Sequence, residues 1–268
     1  MIETAYAKIN LALHVRRRRA DGYHEIETLF AFVDAGDTLT VTPAARDELH
    51  LVGEFAAELA DPLGNLVARA LSQLPRAQGW RITLDKRLPI AAGLGGGSAD
   101  AGAVFRLVER AQGLPGDWSA RAVKLGADVP ACVRSETAIG TGTGTELSAL
   151  ENDLAGAPVL LVNPRAPVPT APVYAGWDGV DRGALPSGSA RVIALAGRND
   201  LQRPAVALCP VIDTVFNALG RTKPLLARMS GSGATCFALY DDPAARDAAA
   251  AAIMAEHPEW WQLAGALR

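Results

Sequence analysis

The chain has 268 residues, 49% of them hydrophobic and 21% charged, with a formal net charge of −3. That length suits one large or two moderate domains with a sizeable core, and the composition is that of an ordinary globular protein. The mildly acidic balance excludes a global attraction for nucleic acid or an anionic membrane. Three widely spaced cysteines, Cys132, Cys209 and Cys236, lack the pairing of a zinc site or a disulfide framework.

From the N-terminus, residues 4–15 alternate cleanly. Ala5, Ala7, Ile9, Leu11, Leu13 and Val15 share one face, and Tyr6, Lys8, Asn10, Ala12 and His14 the other, which predicts a strand with an apolar back and a polar front. The basic run Arg16, Arg17, Arg18 and Arg19 reads as a solvated loop tip. Residues 23–33 and 38–42 read as two further strands separated by Asp34-Ala35-Gly36-Asp37. Asn65 stands as a cap before Leu66, Val67, Ala70, Leu71 and Leu74 at helical spacing, and residues 80–86 read as a strand.

That strand feeds Pro89-Ile90-Ala91-Ala92-Gly93-Leu94-Gly95-Gly96-Gly97-Ser98-Ala99, four glycines in five positions ahead of a helical pattern in Ala101, Val104, Phe105, Val108 and Ala111. Ser98 is the expected N-cap. Glycine admits positive φ and close backbone approach, and a helix start adds the positive end of its macrodipole, so the loop is suited to phosphate. It lacks the Gly-Lys-Ser/Thr of a P-loop and the third glycine of a dinucleotide fingerprint. A flexible surface turn is the bland alternative, but Pro89 and the helix fix both ends.

Beyond it a short helix is expected from about Trp118 to Gly126, then Asp128, which by itself reads as a helix cap before Pro130. An apolar strand over 157–163 opens the second half. Helical patterns cover 201–208, 211–219 and 243–256, and 227–240 reads as strand, glycine turn, strand. Strands and helices mix without regular alternation, which argues an α+β fold with two lobes.

Three motifs in order, Ala7-Lys8-Ile9-Asn10, the glycine loop through Ser98, and Met229-Ser230-Gly231-Ser232-Gly233, resemble the GHMP kinase superfamily of galactokinase, homoserine kinase and mevalonate kinase relatives. Ala20-Asp21-Gly22-Tyr23-His24 and Gly126-Ala127-Asp128-Val129-Pro130 narrow the resemblance to its branch acting on a cytidine-diphosphate-linked methylerythritol. The resemblance implies a two-lobed fold, with an N-terminal domain like ribosomal protein S5 domain 2 over 1–155 and a ferredoxin-like domain over 156–268. The first would bind ATP and carry the chemistry, and the second would bind the acceptor. It implies phosphorylation of the acceptor's 2-hydroxyl, on the non-mevalonate route to isoprenoids. Another small-molecule kinase of the superfamily, such as a homoserine or phosphomevalonate kinase, is the alternative.

By itself Lys8 reads as a rim lysine; the resemblance makes it a catalytic cation and Asp128 the carboxylate that receives or orients the acceptor proton. The resemblance assigns ATP to residues 89–99 together with Asn65, which can also cap its helix. It assigns the acceptor to Asn10, Tyr23, His24, Thr170 and Tyr174, with Tyr23 and Tyr174 sandwiching cytosine and His24 reading its hydrogen-bonding edge; ordinary packing is the alternative for both tyrosines. Mg2+ is expected with the nucleotide, and no protein ligand for it is assigned. The expected partners are small molecules, with neither nucleic acid nor membrane. No basic-then-apolar leader opens the chain, and no run of about 18 apolar residues could span a bilayer, so a cytoplasmic enzyme is expected.

Overall fold

The alternating segment at the start of the chain becomes β1 (Ile2–Arg18), and it is buried on both faces. Lys8, Asn10 and His14 are 4%, 2% and 1% exposed, so the polar front faces the protein's own interior rather than water. Buried polar groups must find partners; those of Lys8 and Asn10 lie in the candidate site below, and His14 meets the Gly183 carbonyl and the Arg198 N–H. The computed structural model describes residues 1–59 and 64–268. It divides into two compact units that interleave along the chain. The first is made of residues 1–8, 35–90 and 95–135, and the second of 9–34, 91–94 and 136–268. The first two strands and the glycine loop each contribute to both units.

In the first unit, the C-terminal part of β2 (His24–Ala44) carries the pairing. The two strands expected at 23–33 and 38–42 are one continuous strand. The turn expected at residues 34–37 does not form because Gly36 lies flat against β1. A β-carbon there would fall 1.9 Å from the Ala5 carbonyl oxygen, so only glycine lets the strand run on. β3 (Glu48–Val52) pairs parallel with β4 (Gly79–Asp85), and β4 pairs antiparallel with residues 38–44 of β2. α1 (Leu66–Gln73), α2 (Gly96–Gln112), α3 (Trp118–Leu125) and α4 (Val129–Arg134) pack together. α2 buries Ala101, Val104, Phe105 and Val108, as its spacing predicts.

In the second unit, β5 (Ala138–Thr141) joins residues 28–30 of β2 and forms a hairpin with β6 (Glu146–Ala149). An antiparallel sheet follows, built from β7 (Pro158–Asn163), β8 (Leu226–Met229), β9 (Cys236–Leu239) and β10 (Trp261–Ala266) in the order β10-β7-β9-β8. α5 (Thr170–Ala175), α6 (Ala190–Ala196) and α7 (Gln202–Leu208) precede α8 (Val211–Arg221), and α9 (Pro243–Glu256) follows β9. α8 turns Ile212, Val215 and Leu219 onto the sheet, where they meet Leu160, Val162 and Met229 in one core. Each such side chain taken fully out of water contributes roughly 1.5–3 kcal/mol. Asp242 caps α9 by accepting from the Ala245 N–H at 2.8 Å, ahead of Pro243 at the first helical position.

Candidate active site

The first motif delivers Lys8 into the first unit, where its Nζ lies 3.0 Å from Asp128 Oδ2. The lysine side chain is 5% exposed and the aspartate side chain 33%, so a buried cation is tied to a carboxylate that still reaches solvent. Asp128 stands at the N-cap position of α4, yet its side chain makes no capping hydrogen bond. The carboxylate of Asp128 is thus turned to Lys8 and not to the helix.

Both groups sit against the glycine loop. Gly95 has φ +61°, and a β-carbon on it would lie 3.0 Å from Lys8 Cε and 3.7 Å from Asp128 Oδ2. Only glycine leaves room there and accepts the left-handed backbone. The same residue is the N-cap of α2, which begins at Gly96 and not at Ser98. The expected Ser98 cap is therefore corrected. The left-handed Gly95 starts the helix early, and Ser98 lies inside its first turn without capping it. The first bond back along this helix runs from the Ala99 N–H to the Gly95 carbonyl at 2.7 Å. The Gly96, Gly97 and Ser98 N–H groups therefore point out of the helix start with no carbonyl four residues behind them inside the helix. Such N–H groups at a helix start are suited to an anion.

Asn65 caps α1 as the sequence predicts, its Oδ1 accepting from the Val67 N–H at 2.9 Å. In the second unit the third motif clasps the loop segment 91–94. Ser230 Oγ donates to the Gly93 carbonyl at 2.8 Å and accepts from the Asn10 N–H at 3.2 Å. The Thr235 N–H donates to Ala92 O at 3.2 Å. Gly93, at φ +76°, has no room for a side chain, since its β-carbon would fall 2.3 Å from Ser230 O. The buried Asn10 amide is committed as well: Nδ2 donates to Thr28 Oγ1 at 2.8 Å, and that hydroxyl donates on to Ala12 O.

A separate aromatic cluster in the second unit gathers His24, Tyr174 and Trp177. The His24 ring lies 5.0 Å from that of Tyr174 and 5.8 Å from that of Trp177, edge-on to the latter. Burial, then the neighbouring Arg18 guanidinium, holds the His24 imidazole below its ordinary pKa. Arg18 Nε donates to His24 Nε2 at 3.4 Å, which leaves the ring proton on Nδ1. Tyr23, by contrast, is 65% exposed. Thr170 Oγ1 lies 3.0 Å from Ser232 Oγ, bringing α5 to the third motif. Trp177, which the sequence did not single out, joins the cluster through the turn after α5, its backbone N–H donating to the Tyr174 carbonyl at 3.2 Å. Three arginines of the basic run 16–19 are paired locally: Arg16 meets Glu27 and Asp181, Arg17 meets Glu25, and Arg19 meets Asp21, while Arg18 donates to His24 and to the Ala175 carbonyl.

Comparison with known proteins places this arrangement. Residues 64–136 match the GHMP kinases N terminal domain and residues 186–259 match GHMP kinases C terminal. A protein of Novosphingobium aromaticivorans named 4-diphosphocytidyl-2-C-methyl-D-erythritol kinase is 66% identical over 266 residues, covering 99% of this chain and 92% of its own length. The chain belongs to that kinase family. A Sphingopyxis alaskensis member of the family is 58% identical, covering 100% of this chain and 99% of its own. A crystal structure of 4-(cytidine 5'-diphospho)-2C-methyl-D-erythritol kinase superposes with a TM-score of 0.83 at 34% identity, covering 100% of this chain and 99% of that one. Homoserine kinase from Cytophaga hutchinsonii shares the fold, with a TM-score of 0.66 at 17% identity over 97% of this chain and 95% of its own. The α+β reading and the two-lobed GHMP kinase fold are thus established, and the chain is a small-molecule kinase.

Proposed function

We infer that this kinase transfers the γ-phosphoryl group of ATP to the 2-hydroxyl of 4-diphosphocytidyl-2-C-methyl-D-erythritol, a step toward isoprenoid precursors outside the mevalonate route. The relatives' names supply the acceptor. The observation that carries the chemistry is the Lys8–Asp128 pair at 3.0 Å, set against the left-handed Gly95 that opens α2.

In this reading the N–H groups of Gly96, Gly97 and Ser98 receive nucleotide phosphate. The acceptor oxygen attacks the γ-phosphorus, the bond from that phosphorus to the ADP oxygen breaks, and the hydroxyl proton passes to Asp128. Phosphoryl transfer through a loose transition state asks for positioning and charge stabilisation more than for a strong base. A carboxylate held in one orientation by Lys8 meets that need, and the ammonium offsets the negative charge gathering nearby. Asn65 Nδ2 is the group on α1 left to contact adenine. Asn10 acts on the acceptor through the strand that also carries Lys8. His24 with Tyr174 receives cytosine, Nδ1–H donating to a base acceptor, and Tyr23 and Thr170 complete acceptor recognition. Residues 1–155 hold the nucleotide and the catalytic pair, and 156–268 much of the acceptor site. Among the described residues no three His, Cys, Asp or Glu side chains gather into a cation cage. Mg2+ would accompany the nucleotide, held by its phosphates and water.

The test is turnover. ADP release is expected with the cytidyl substrate and not with homoserine or phosphomevalonate, and CDP alone should compete with the acceptor. ADP release with phosphomevalonate and none with the cytidyl substrate would overturn the acceptor assignment.

A further inference from the structure

Beneath the glycine loop lies a group of charges that the chemistry above does not use. Lys86 is 1% exposed, Asp37 0% and Asp100 3%. Lys86 Nζ donates to Asp37 Oδ2 at 2.5 Å and to Asp100 Oδ2 at 2.8 Å. Asp37 Oδ1 accepts from the N–H groups of Arg87 at 2.6 Å and Leu88 at 2.8 Å, the residues that lead into Pro89. Asp100 stands on the second turn of α2, just past the loop's exit. A β-carbon on Gly96 would lie 3.1 Å from Lys86 Nζ, so the ammonium sits directly under the first residue of the helix. One ammonium therefore joins the loop's entrance, through Asp37, to its exit, through Asp100.

The cluster is a poor investment in stability alone. Two carboxylates face one ammonium in the interior, and apolar residues of similar volume commonly stabilise as well or better. Asp100 Oδ1 is buried and has no hydrogen-bond partner among the described residues. Burial, with Asp37 adding to it against the pull of Lys86, pushes the Asp100 carboxyl up to about 7. What such a cluster supplies, and a greasy core does not, is a fixed geometry with directional contacts.

We propose that Asp37, Lys86 and Asp100 form a buried clamp that sets the distance between the two ends of the glycine loop, and so aims the Gly96, Gly97 and Ser98 N–H groups at nucleotide phosphate. They are positioning residues, and the proposal rests on the reading that this loop receives ATP. Displacement of reacting groups by about 1 Å costs roughly 10²-fold in rate, which sets the scale of the effect.

The experiment is steady-state kinetics on full-length variants with matched thermal melts. Asp100→Ala cuts the tie at the loop exit. It should lower kcat/KM for ATP by about 10²-fold while the KM for the acceptor stays within roughly threefold. Asp100→Asn keeps an oxygen that accepts from Lys86 and should recover most of that loss. If Asp100→Ala does not fold, Lys86→Met combined with Asp100→Asn removes the ammonium and one carboxylate and carries the same expectation. Gly97→Val is the control on the underlying reading. Among the described residues its β-carbon would meet Leu66, with Cδ1 at 3.3 Å and Cγ at 4.0 Å, and no atom of the clamp; on the proposed reading it would crowd the phosphate approach. If Gly97→Val abolishes binding of a non-hydrolysable ATP analogue while a folded clamp variant keeps wild-type ATP kinetics, the clamp is wrong. Equal losses for ATP and acceptor would also overturn it, by reducing the cluster to a general structural role. A Gly97→Val protein that binds the analogue normally would instead remove the loop reading itself.

Discussion

Lys8 Nζ and Asp128 Oδ2 stand 3.0 Å apart although they are 120 positions apart in the chain, and the Asp128 carboxylate does not cap its helix. Asp128→Asn should keep ATP and acceptor affinity within a few-fold and lower kcat by roughly 10²–10⁴, the usual size of a positioned proton acceptor. Lys8→Ala should lower kcat comparably and also weaken ATP binding, because it leaves Asp128 without the ammonium that orients it. Turnover above about a tenth of wild type in Asp128→Asn would remove Asp128 from this role.

The His24–Tyr174–Trp177 cluster gives a prediction for the acceptor. Stacking of a base on an aromatic side chain is worth ~1–3 kcal/mol, so Tyr174→Ala should raise the acceptor KM by roughly 5–100-fold. The KM for ATP should stay close to wild type. Tyr23, 65% exposed, should show the smaller effect of the two tyrosines, since it is less fixed in place before substrate arrives. Competition by CDP, read by calorimetry on both variants, checks the assignment. Unaltered CDP affinity in Tyr174→Ala would exclude it.

Asp100 links the clamp to pH. Its folded-state pKa of about 7 lies above the ordinary 3.8, so the native protein holds a proton that the unfolded chain has released. The stabilisation that this proton provides is fully present below about pH 4 and is lost as pH rises through about 7. Asp100→Asn cannot lose it. The melting temperature of the variant minus that of wild type should therefore increase between pH 5 and pH 8. A difference that stays constant across that range would show that Asp100 does not titrate there.

Gly93 tests the clasp made by the third motif. Alanine there would put its β-carbon 2.3 Å from Ser230 O on a backbone at φ +76°, so Gly93→Ala should destabilise by ~1–3 kcal/mol from the strained backbone alone. At roughly 2–4 °C per kcal/mol for a domain of this size, calorimetry should show a lower melting temperature by several degrees. No change would mean that the loop moves away from Ser230 without cost.

The sequence by itself determined the local elements and the chemistry-bearing motifs. Alternation marked β1, spacing marked α2 and α8, and the glycine run marked the loop, because each is a period imposed by backbone geometry on neighbouring residues. A signal for the clamp was present too. Trp80, Ile82 and Leu84 alternate inward along β4, and Lys86 continues that same face. Asp100 falls one helical turn before Val104 on the buried side of α2. What the sequence did not decide were matters of contact across the chain. Gly36 fuses two expected strands because the Ala5 carbonyl lies against it, Gly95 takes the helix start away from Ser98, and Asp128 turns to Lys8 instead of capping α4. In each case the local pattern admitted two choices, and a partner distant in sequence, brought close only by folding, selected between them.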